Sequence, residues 1–469
     1  MTTVPPTEVT FDGLGARTGP LTWGQRWSWD IVRDLAPEEH RINLAMRIPL
    51  LGDHSVDDVL AAMADMLARY ESLRTTYQTG ADGEPEQVVH GHGAVPLTVQ
   101  EAHSAQPEEA GTALKDELAS WRFDLTREMP LRFGIVTVAG RAVMAVVALS
   151  NMAVDGWSAD VLWDALHAHI HDGGTGDAVP AGTQPLDQVA YESSPAGQAV
   201  ARAGYEYWRE HLPAITSPPS AAWHPAGERP RYWCLEVRSP ALAHASHAIA
   251  RGLQVPASAV LLAGVSALVG LRKGQSTVVM SVLASNRYLP RSRTSVGKFF
   301  QSAPLLLDLN QPTFAGYVRH SSSRMLRAVR HGRWDPRQVA RLLHGEGPHR
   351  GTHHALRATF DYHSQRDPDE SDLSSDTAEL RTLMERSAMR WMATAEIEML
   401  HFYVQVRQFD TEAVIALWTD TEYLSRADLV SVVLGAERLL VEATGVDPPM
   451  SRLSAISGII PACRAGERA

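Results

Sequence analysis

Polar residues that could carry out chemistry follow an uninterrupted apolar stretch in the first half of the chain. Residues 143–149 are all apolar, which predicts a short buried strand. Ser150 and Asn151 end this pattern, and Asp155 with Gly156 predicts a turn before a helix. The Asn151 carboxamide donates and accepts hydrogen bonds but does not titrate near neutral pH, so it cannot be a general base. Two interpretations stay open: a site that positions a substrate and stabilises an oxyanion, or a former site without chemistry.

A second group of polar residues lies after another predicted strand. Residues 359–362 predict that strand, and His363 and Ser364 follow it. His363 is a candidate catalytic group, although a histidine after a strand also commonly has a structural role. His90 and His92 flank a glycine without a third ligand nearby, so we predict no metal site.

The composition limits the classes of protein to which this chain could belong. The 469 residues are 44% hydrophobic and 21% charged, which is enough to bury a large core and too long for one ordinary domain. A net charge of -11 argues against nonspecific binding of nucleic acid. Two cysteines cannot form a disulfide framework, and no stretch is apolar over eighteen residues. We therefore expect a cytoplasmic protein, without a secretory signal, that binds neither nucleic acid nor membranes.

The elements that must position these residues alternate between helices and strands. Helical periodicity covers residues 55–74, 158–171 and 426–444, and strand patterns cover 278–283, 402–408 and 414–419. Glycine and proline are dense after residue 172, which predicts a linker. The predicted organisation is an extended lead-in (1–19), a first half (20–172), a linker (173–200), a second half (201–445) and a flexible tail (446–469).

Several segments resemble motifs of the condensation-domain superfamily of nonribosomal peptide synthesis. The signature of that family reads His-His-any-any-any-Asp-Gly; Asp155 and Gly156 match it, whereas Ser150 and Asn151 replace both histidines. Further similarity lies at residues 21–25, 69–75, 123–125, 285–287 and 297–305. In the last segment Gln301 and Ser302 stand where the family has Asn and Thr.

The resemblance implies a fold and a set of site residues. The fold is α/β: two halves similar to a chloramphenicol acetyltransferase subunit, each a two-layer α+β sandwich, in a V with a tunnel between them. Asp155 is expected to pair with Arg287 across the two halves as a structural ion pair. The candidate catalytic residues are Ser150, Asn151, Asp155, Gly156 and His363, and the expected tunnel residues are Trp157, Gln301, Ser302 and Ser364.

The resemblance also implies two classes of function. The first is an acyltransferase that joins a carrier-bound acyl or aminoacyl group to an amine or hydroxyl without the usual histidine. The second is an inactive docking module that binds a carrier protein or recruits a tailoring enzyme. In both cases we expect a free-standing monomer that holds no cofactor itself. Its partners would be an acyl or peptidyl carrier protein, which presents phosphopantetheine-linked substrates, and other assembly-line proteins.

Overall fold

The computed structural model divides the chain into two compact units, each built from separate parts of the sequence. It describes residues 7–103, 106–171, 181–216, 227–344, 356–364, 368–395 and 400–461. The first unit comprises Met1–Arg202, Ser285–Gln301 and Trp334–Gln338. The second comprises Ala203–Ala284, Ser302–Arg333 and Val339–Ala469. The two halves expected from the sequence, 20–172 and 201–445, were continuous, whereas each observed unit is discontinuous.

The first unit contains a larger and a smaller sheet. The strands of the larger sheet are β1 (Glu8–Phe11), β3 (Leu44–His54), β6 (Gly93–Glu101), β7 (Leu131–Val138) and β8 (Arg141–Leu149). Those of the smaller sheet are β2 (Arg17–Pro20), β4 (Thr75–Thr79) and β5 (Pro85–Val89). Within the described residues the orders are β1-β6-β7-β8-β3 and β2-β5-β4. The described part of the expected lead-in therefore pairs into both sheets, because β1 joins β6 and β2 joins β5.

The helices of the first unit start at clear sequence signals. They are α1 (Trp23–Leu35), α2 (Val56–Arg69), α3 (Pro107–Ala119), α4 (Gly156–His171), α5 (Pro185–Ser193), the start of α6 (Pro195–Thr216) and the short α9 (Pro290–Arg293). Ser55 and Asp58 form a capping box at α2, which ends at Arg69 and is followed by a 3-10 turn. The helix predicted over 55–74 is thus two elements.

Helices occupy much of the predicted linker 173–200. Residues 185–193 form α5, and α6 begins at residue 195. Pro185 lies in the first turn of its helix, where a backbone N–H has no partner within the helix, so this proline starts the helix instead of preventing it. Residues 173–180 of the predicted linker lie outside the described residues.

Strand β8 is buried on both faces, which explains its uninterrupted apolar sequence. One set of its side chains packs with Leu114 and Leu118 of α3, namely Met144, Val146 and Ala148. The alternate set joins the main core of the first unit, namely Ala145, Val147 and Leu149. Because side chains alternate along a strand, burial of both faces requires apolar residues at every position. The register places Leu149, the last strand residue, opposite Leu44 of β3 and Leu131 of β7.

The second unit is built on one mixed sheet. Its strands are β9 (Tyr232–Ser239), β10 (Thr277–Ala284), β11 (Gln301–Asp308), β12 (Ala358–Tyr362), β13 (Ala388–Ala395), β14 (Phe402–Phe409) and β15 (Ala413–Asp420). Among the described residues their order is β11-β10-β12-β14-β15-β9-β13. The remaining helices are α7 (Pro240–Leu253), α8 (Ala257–Lys273), α10 (Phe314–Arg330), α11 (Pro336–His344), α12 (Thr377–Met384), α13 (Arg426–Gly445) and α14 (Leu453–Ser457). The mixed α/β class expected from the sequence is therefore the observed one.

The end of the chain is more ordered than the flexible tail predicted over 446–469. The described part contains a 3-10 turn followed by α14. Leu453 and Ile459 are buried in the core of the second unit, and this apolar contact holds the segment in place. Residues 462–469 lie outside the described part.

The apolar helices of the second unit raise the question of whether one of them could cross a membrane. Among the described residues, no single helix combines the length and the apolar character needed to cross a membrane. The consecutive helices α7 and α8 meet both criteria only when taken together, and the chain bends by 111° between them.

Candidate functional site

Ser150 closes the turn at the end of β8. Its backbone N–H donates to the Pro130 carbonyl at 2.8 Å, and its own carbonyl accepts from Ala153 N–H at 3.1 Å. The Ser150 hydroxyl oxygen also accepts from the backbone N–H of Met152 at 3.3 Å, and the residue is 4% exposed. These contacts give Ser150 a structural role in the turn that presents Asn151.

The Asn151 carboxamide is held through its oxygen. Its Oδ1 accepts a hydrogen bond from Lys298 Nζ, and the Ser28 hydroxyl lies 3.4 Å from the same oxygen and 3.2 Å from the Asn151 carbonyl. An ammonium group has donors and no acceptor, so the side of the amide that faces it must be the oxygen. Among the described residues, Asn151 Nδ2 donates to none. The half-buried side chain therefore keeps two N–H donors that no described residue uses.

Lys298 is a site residue that the sequence analysis missed. It is 2% exposed, and its Nζ lies 4.1 Å from the centroid of the Phe300 ring. That ring in turn makes an edge contact with Trp27 of α1. The available signal was a charged residue inside the otherwise apolar stretch 296–300, since a fully buried lysine is rare without a specific partner.

Helix α1 packs directly against the backbone of Lys298. A Cβ added at Gly24 would lie 2.2 Å from the Lys298 carbonyl oxygen, so only glycine permits this approach. The capping residue of α1, Thr22, places its hydroxyl 3.5 Å from the same oxygen. The segment 21–25, noted in the sequence for its resemblance to a family motif, thus holds Lys298 in place.

Asp155 forms a buried bidentate ion pair with Arg287. The two terminal guanidinium nitrogens, Nη1 and Nη2, donate at 2.8 Å, and Asp155 accepts further bonds from Ser158 N–H and Phe299 N–H at 2.9 and 3.0 Å. Burial raises the pKa of Asp155, but the charge and hydrogen bonds of Arg287 and the two backbone donors outweigh it, so the pKa lies below its usual value. All of the carboxylate's capacity is used within the protein, which makes Asp155 architectural. The sequence analysis expected this pair to join the two halves, but both partners belong to the first unit.

Gly156 and Trp157 begin α4. Trp157 Nε1 donates to the Arg293 carbonyl at 2.8 Å, and its ring lies 5.9 Å from the Arg287 guanidinium carbon. Trp157 therefore ties α4 to the segment that carries Arg287, and this contact lies within the first unit.

The remaining predicted site residues have contacts of their own. Gln301 is buried and exchanges hydrogen bonds with the backbone of Trp334. Ser302, His363 and Ser364 belong to the second unit, where Ser302 is buried and the Ser364 hydroxyl accepts from the backbone N–H of Phe409. The structure thus brings together Ser150, Asn151, Asp155, Gly156, Trp157 and Arg287 in the first unit, and adds Lys298.

His363 is hydrogen-bonded to a buried carboxylate. Its Nε2 lies 2.6 Å from Asp361 Oδ2, which also accepts from the Tyr403 hydroxyl. Burial and the Asp361 charge raise the pKa of Tyr403 well above its usual value, so the phenol remains a donor. These contacts orient the imidazole, which in its neutral form carries its proton on Nε2.

Among the described residues, no group of three His, Cys, Asp or Glu side chains could hold a metal ion.

Comparison with known proteins gives consistent matches. The condensation-domain family model matches residues 16–393. The isonitrile lipopeptide synthase of Mycobacterium tuberculosis is 28% identical over 325 residues, which cover 66% of this chain and 13% of that protein. The chain spans only 2% and 13% of the first two curated relatives that it matches.

Two solved structures illustrate the shared fold. The complex of the X-domain and OxyB from teicoplanin biosynthesis matches with a TM-score of 0.68 and 21% identity, covering 96% of this chain and 97% of that one. A condensation domain that mediates chain release from the enacyloxin polyketide synthase matches with a TM-score of 0.69 and 18% identity, covering 92% and 84%. At these identities the likeness establishes the fold alone.

Proposed function

This chain belongs to the condensation-domain family. On that premise we propose that it joins a carrier-bound acyl or aminoacyl group to an amine or hydroxyl acceptor, and that Asn151 binds the reacting carbonyl. The observation that carries this proposal is the fixed orientation of the Asn151 carboxamide. Lys298 and Ser28 hold its oxygen, so its Nδ2–H2 group is the side available to a substrate. A preorganised N–H donor is what an acyl-transfer site needs for the oxyanion that develops on the thioester carbonyl.

The proposed reaction needs no base on Asn151. The lone pair of a neutral acceptor amine attacks the thioester carbonyl carbon, a C–N bond forms, and the carbonyl oxygen becomes an oxyanion bound by Nδ2–H2. Collapse breaks the C–S bond, the thiolate leaves, and the proton released by the amine nitrogen neutralises it. Holding the two substrates together supplies most of the acceleration, because a bimolecular step becomes effectively unimolecular.

The thioester would arrive on a separate carrier protein. Its phosphopantetheine arm would supply the thiol that activates the acyl group, and the chain's own residues would position the carbonyl. A relative named as an isonitrile lipopeptide synthase supports this substrate class. Carrier proteins and other assembly-line proteins are therefore the proposed partners.

The variant Asn151→Asp tests the proposal. The aspartate keeps an oxygen for Lys298 and Ser28 but replaces Nδ2–H2 with a second oxygen, so the fold is retained while the donor is lost. We expect kcat for loaded carrier and acceptor amine to fall about a hundredfold. Product is measured by mass spectrometry, and carrier affinity serves as the control. Unchanged turnover in this variant would contradict the role of Asn151.

The variant His363→Gln tests the expectation from the sequence that His363 is a catalytic group. The contacts of His363 with Asp361 support a structural role, so we expect the pH profile of kcat/KM to keep its shape. Loss of the acidic inflection of that profile in the variant would instead make His363 the base.

A docking module without catalysis is the second candidate function. Both signature histidines are absent, and the teicoplanin X-domain, which has the same fold, is named in a complex with OxyB. Under this alternative, loaded carriers bind and no amide or ester forms. A tailoring enzyme encoded nearby would then bind the chain measurably in a pull-down with purified proteins.

A further inference from the structure

An exposed patch of apolar and basic residues follows Arg287 directly. We define the 288–293 patch as Tyr288, Leu289, Pro290, Arg291 and Arg293, all of which are exposed. Tyr288 and Leu289 are 45% and 52% exposed, which is unusual for two adjacent large apolar side chains.

The patch is basic in a chain that is otherwise acidic. From residue 285 to residue 307 the sequence contains two further basic residues, Arg287 and Lys298, and no acidic residue, although the net charge of the chain is -11. Arg287 and Lys298 are buried, so Arg291 and Arg293 supply the surface charge. Neither of these two arginines forms an ion pair with a residue that the structure describes.

The backbone of the patch is held firmly. The Ser292 hydroxyl donates to the Leu289 carbonyl at 2.6 Å and accepts from Leu289 N–H at 3.2 Å. The carbonyls of Arg291 and Arg293 accept from the Ser295 hydroxyl and from Trp157 Nε1. Because little chain entropy remains to be lost, such a surface is preorganised for binding.

We infer that the 288–293 patch is a docking surface for an acidic protein surface with an apolar residue among its carboxylates. The arginines complement the carboxylates, and Leu289 with Tyr288 forms the apolar centre of the contact. Arg287, the residue before the patch, binds Asp155, and Trp157 links the patch to α4, so the partner would sit beside the candidate site. We identify this partner as the carrier protein that delivers the thioester, and this identification rests on the proposed function.

The test compares two charge-reversed double variants of the full chain. Arg291→Glu with Arg293→Glu removes the basic patch, and Arg202→Glu with Arg319→Glu reverses two exposed arginines elsewhere. Neither control arginine forms an ion pair with a described residue. The probes are purified holo-carrier proteins encoded beside this chain, with affinity measured by calorimetry at two salt concentrations.

We expect the patch variant to weaken carrier binding about tenfold and to flatten its salt dependence, while the control stays within about twofold of wild type. Leu289→Ser should weaken binding without altering the salt dependence. Equal losses in both double variants, or unchanged affinity in the patch variant, would overturn the inference. Binding of vesicles of phosphatidylcholine and phosphatidylserine through the same arginines, without carrier binding, would also overturn it.

The acyltransferase activity and the docking surface can each be refuted without refuting the other. Carrier binding that depends on the arginines but yields no product would refute the acyltransferase activity and leave the docking surface intact. Product formation with an unchanged KM for the carrier in the Arg291→Glu, Arg293→Glu variant would refute the surface and leave the activity intact.

Discussion

The difference between Asn151 and an imidazole decides what the site can do. An imidazole can take up a proton, whereas a carboxamide whose oxygen is bonded to an ammonium group can only donate. Lys298 therefore acts through Asn151, by preventing the amide from turning its oxygen toward a substrate. This makes Lys298 a positioning residue in the proposed reaction.

Lys298→Met tests that role. Methionine keeps the length and the packing on Phe300 but cannot donate, so the carboxamide loses its strongest anchor. We expect kcat to fall about tenfold with KM unchanged, since a misoriented donor weakens the transition state alone. In an Asn151→Ala background the same change should have no further effect on kcat. An additional loss in that background would show that Lys298 acts independently of Asn151.

Asp155 should govern acid stability. Its folded pKa is lowered, so its contribution to stability is complete above the unfolded value of about 3.9 and is lost as the pH falls through the folded value. Asp155→Asn leaves the Arg287 charge buried without its partner and should cost about 3–5 kcal/mol at pH 7, measured by urea unfolding. The double variant with Arg287→Met should recover part of this loss. As the pH falls through the lowered folded pKa, wild-type stability should approach that of Asp155→Asn.

At the scale of elements, the contact between α1 and the Lys298 backbone holds the site together. Gly24→Ala would place a methyl group 2.2 Å from the Lys298 backbone oxygen, so the backbone must shift, and this should cost about 1–3 kcal/mol. Gly252 in α7 is the matched control, because a Cβ there meets nothing within 4 Å. Gly252→Ala should raise stability by up to about 1 kcal/mol through helix propensity. Equal effects on the thermal midpoint would contradict this account of α1 packing.

The elements also show what the sequence can predict. Strand β8 and helix α2 were predictable because apolar periodicity and a capping signal are local. The Asp155–Arg287 pair was predictable only from resemblance to a family, since 132 positions separate its members. The contact between Lys298 and Asn151 was not predictable, because it joins residues 147 positions apart and this chain departs from the family at Asn151. Helix α5 was missed because proline was taken as a breaker at a position where it starts a helix.

At the scale of the whole molecule, the first unit depends on a segment inserted from later in the sequence. Residues 285–301 supply Arg287 to Asp155, Lys298 to Asn151 and Val296 to the main core of that unit. A cut after Arg202, just beyond the predicted linker, would therefore separate the first 202 residues from side chains that their core and their buried charge require. The predicted linker therefore does not separate two parts of the chain that fold independently.

A fragment of residues 1–202 should consequently not fold cooperatively by itself. It would retain α2, β8 and most of the apolar core, but it would bury Asp155 without a cation, or expose the residues around it to water. Thermal unfolding followed by circular dichroism should show a broad transition well below that of the full chain. Addition of a peptide of residues 285–301 should sharpen the transition, and the same peptide with Arg287→Met should not. A cooperative transition of the fragment alone at the midpoint of the full chain would show that the inserted segment is dispensable for folding.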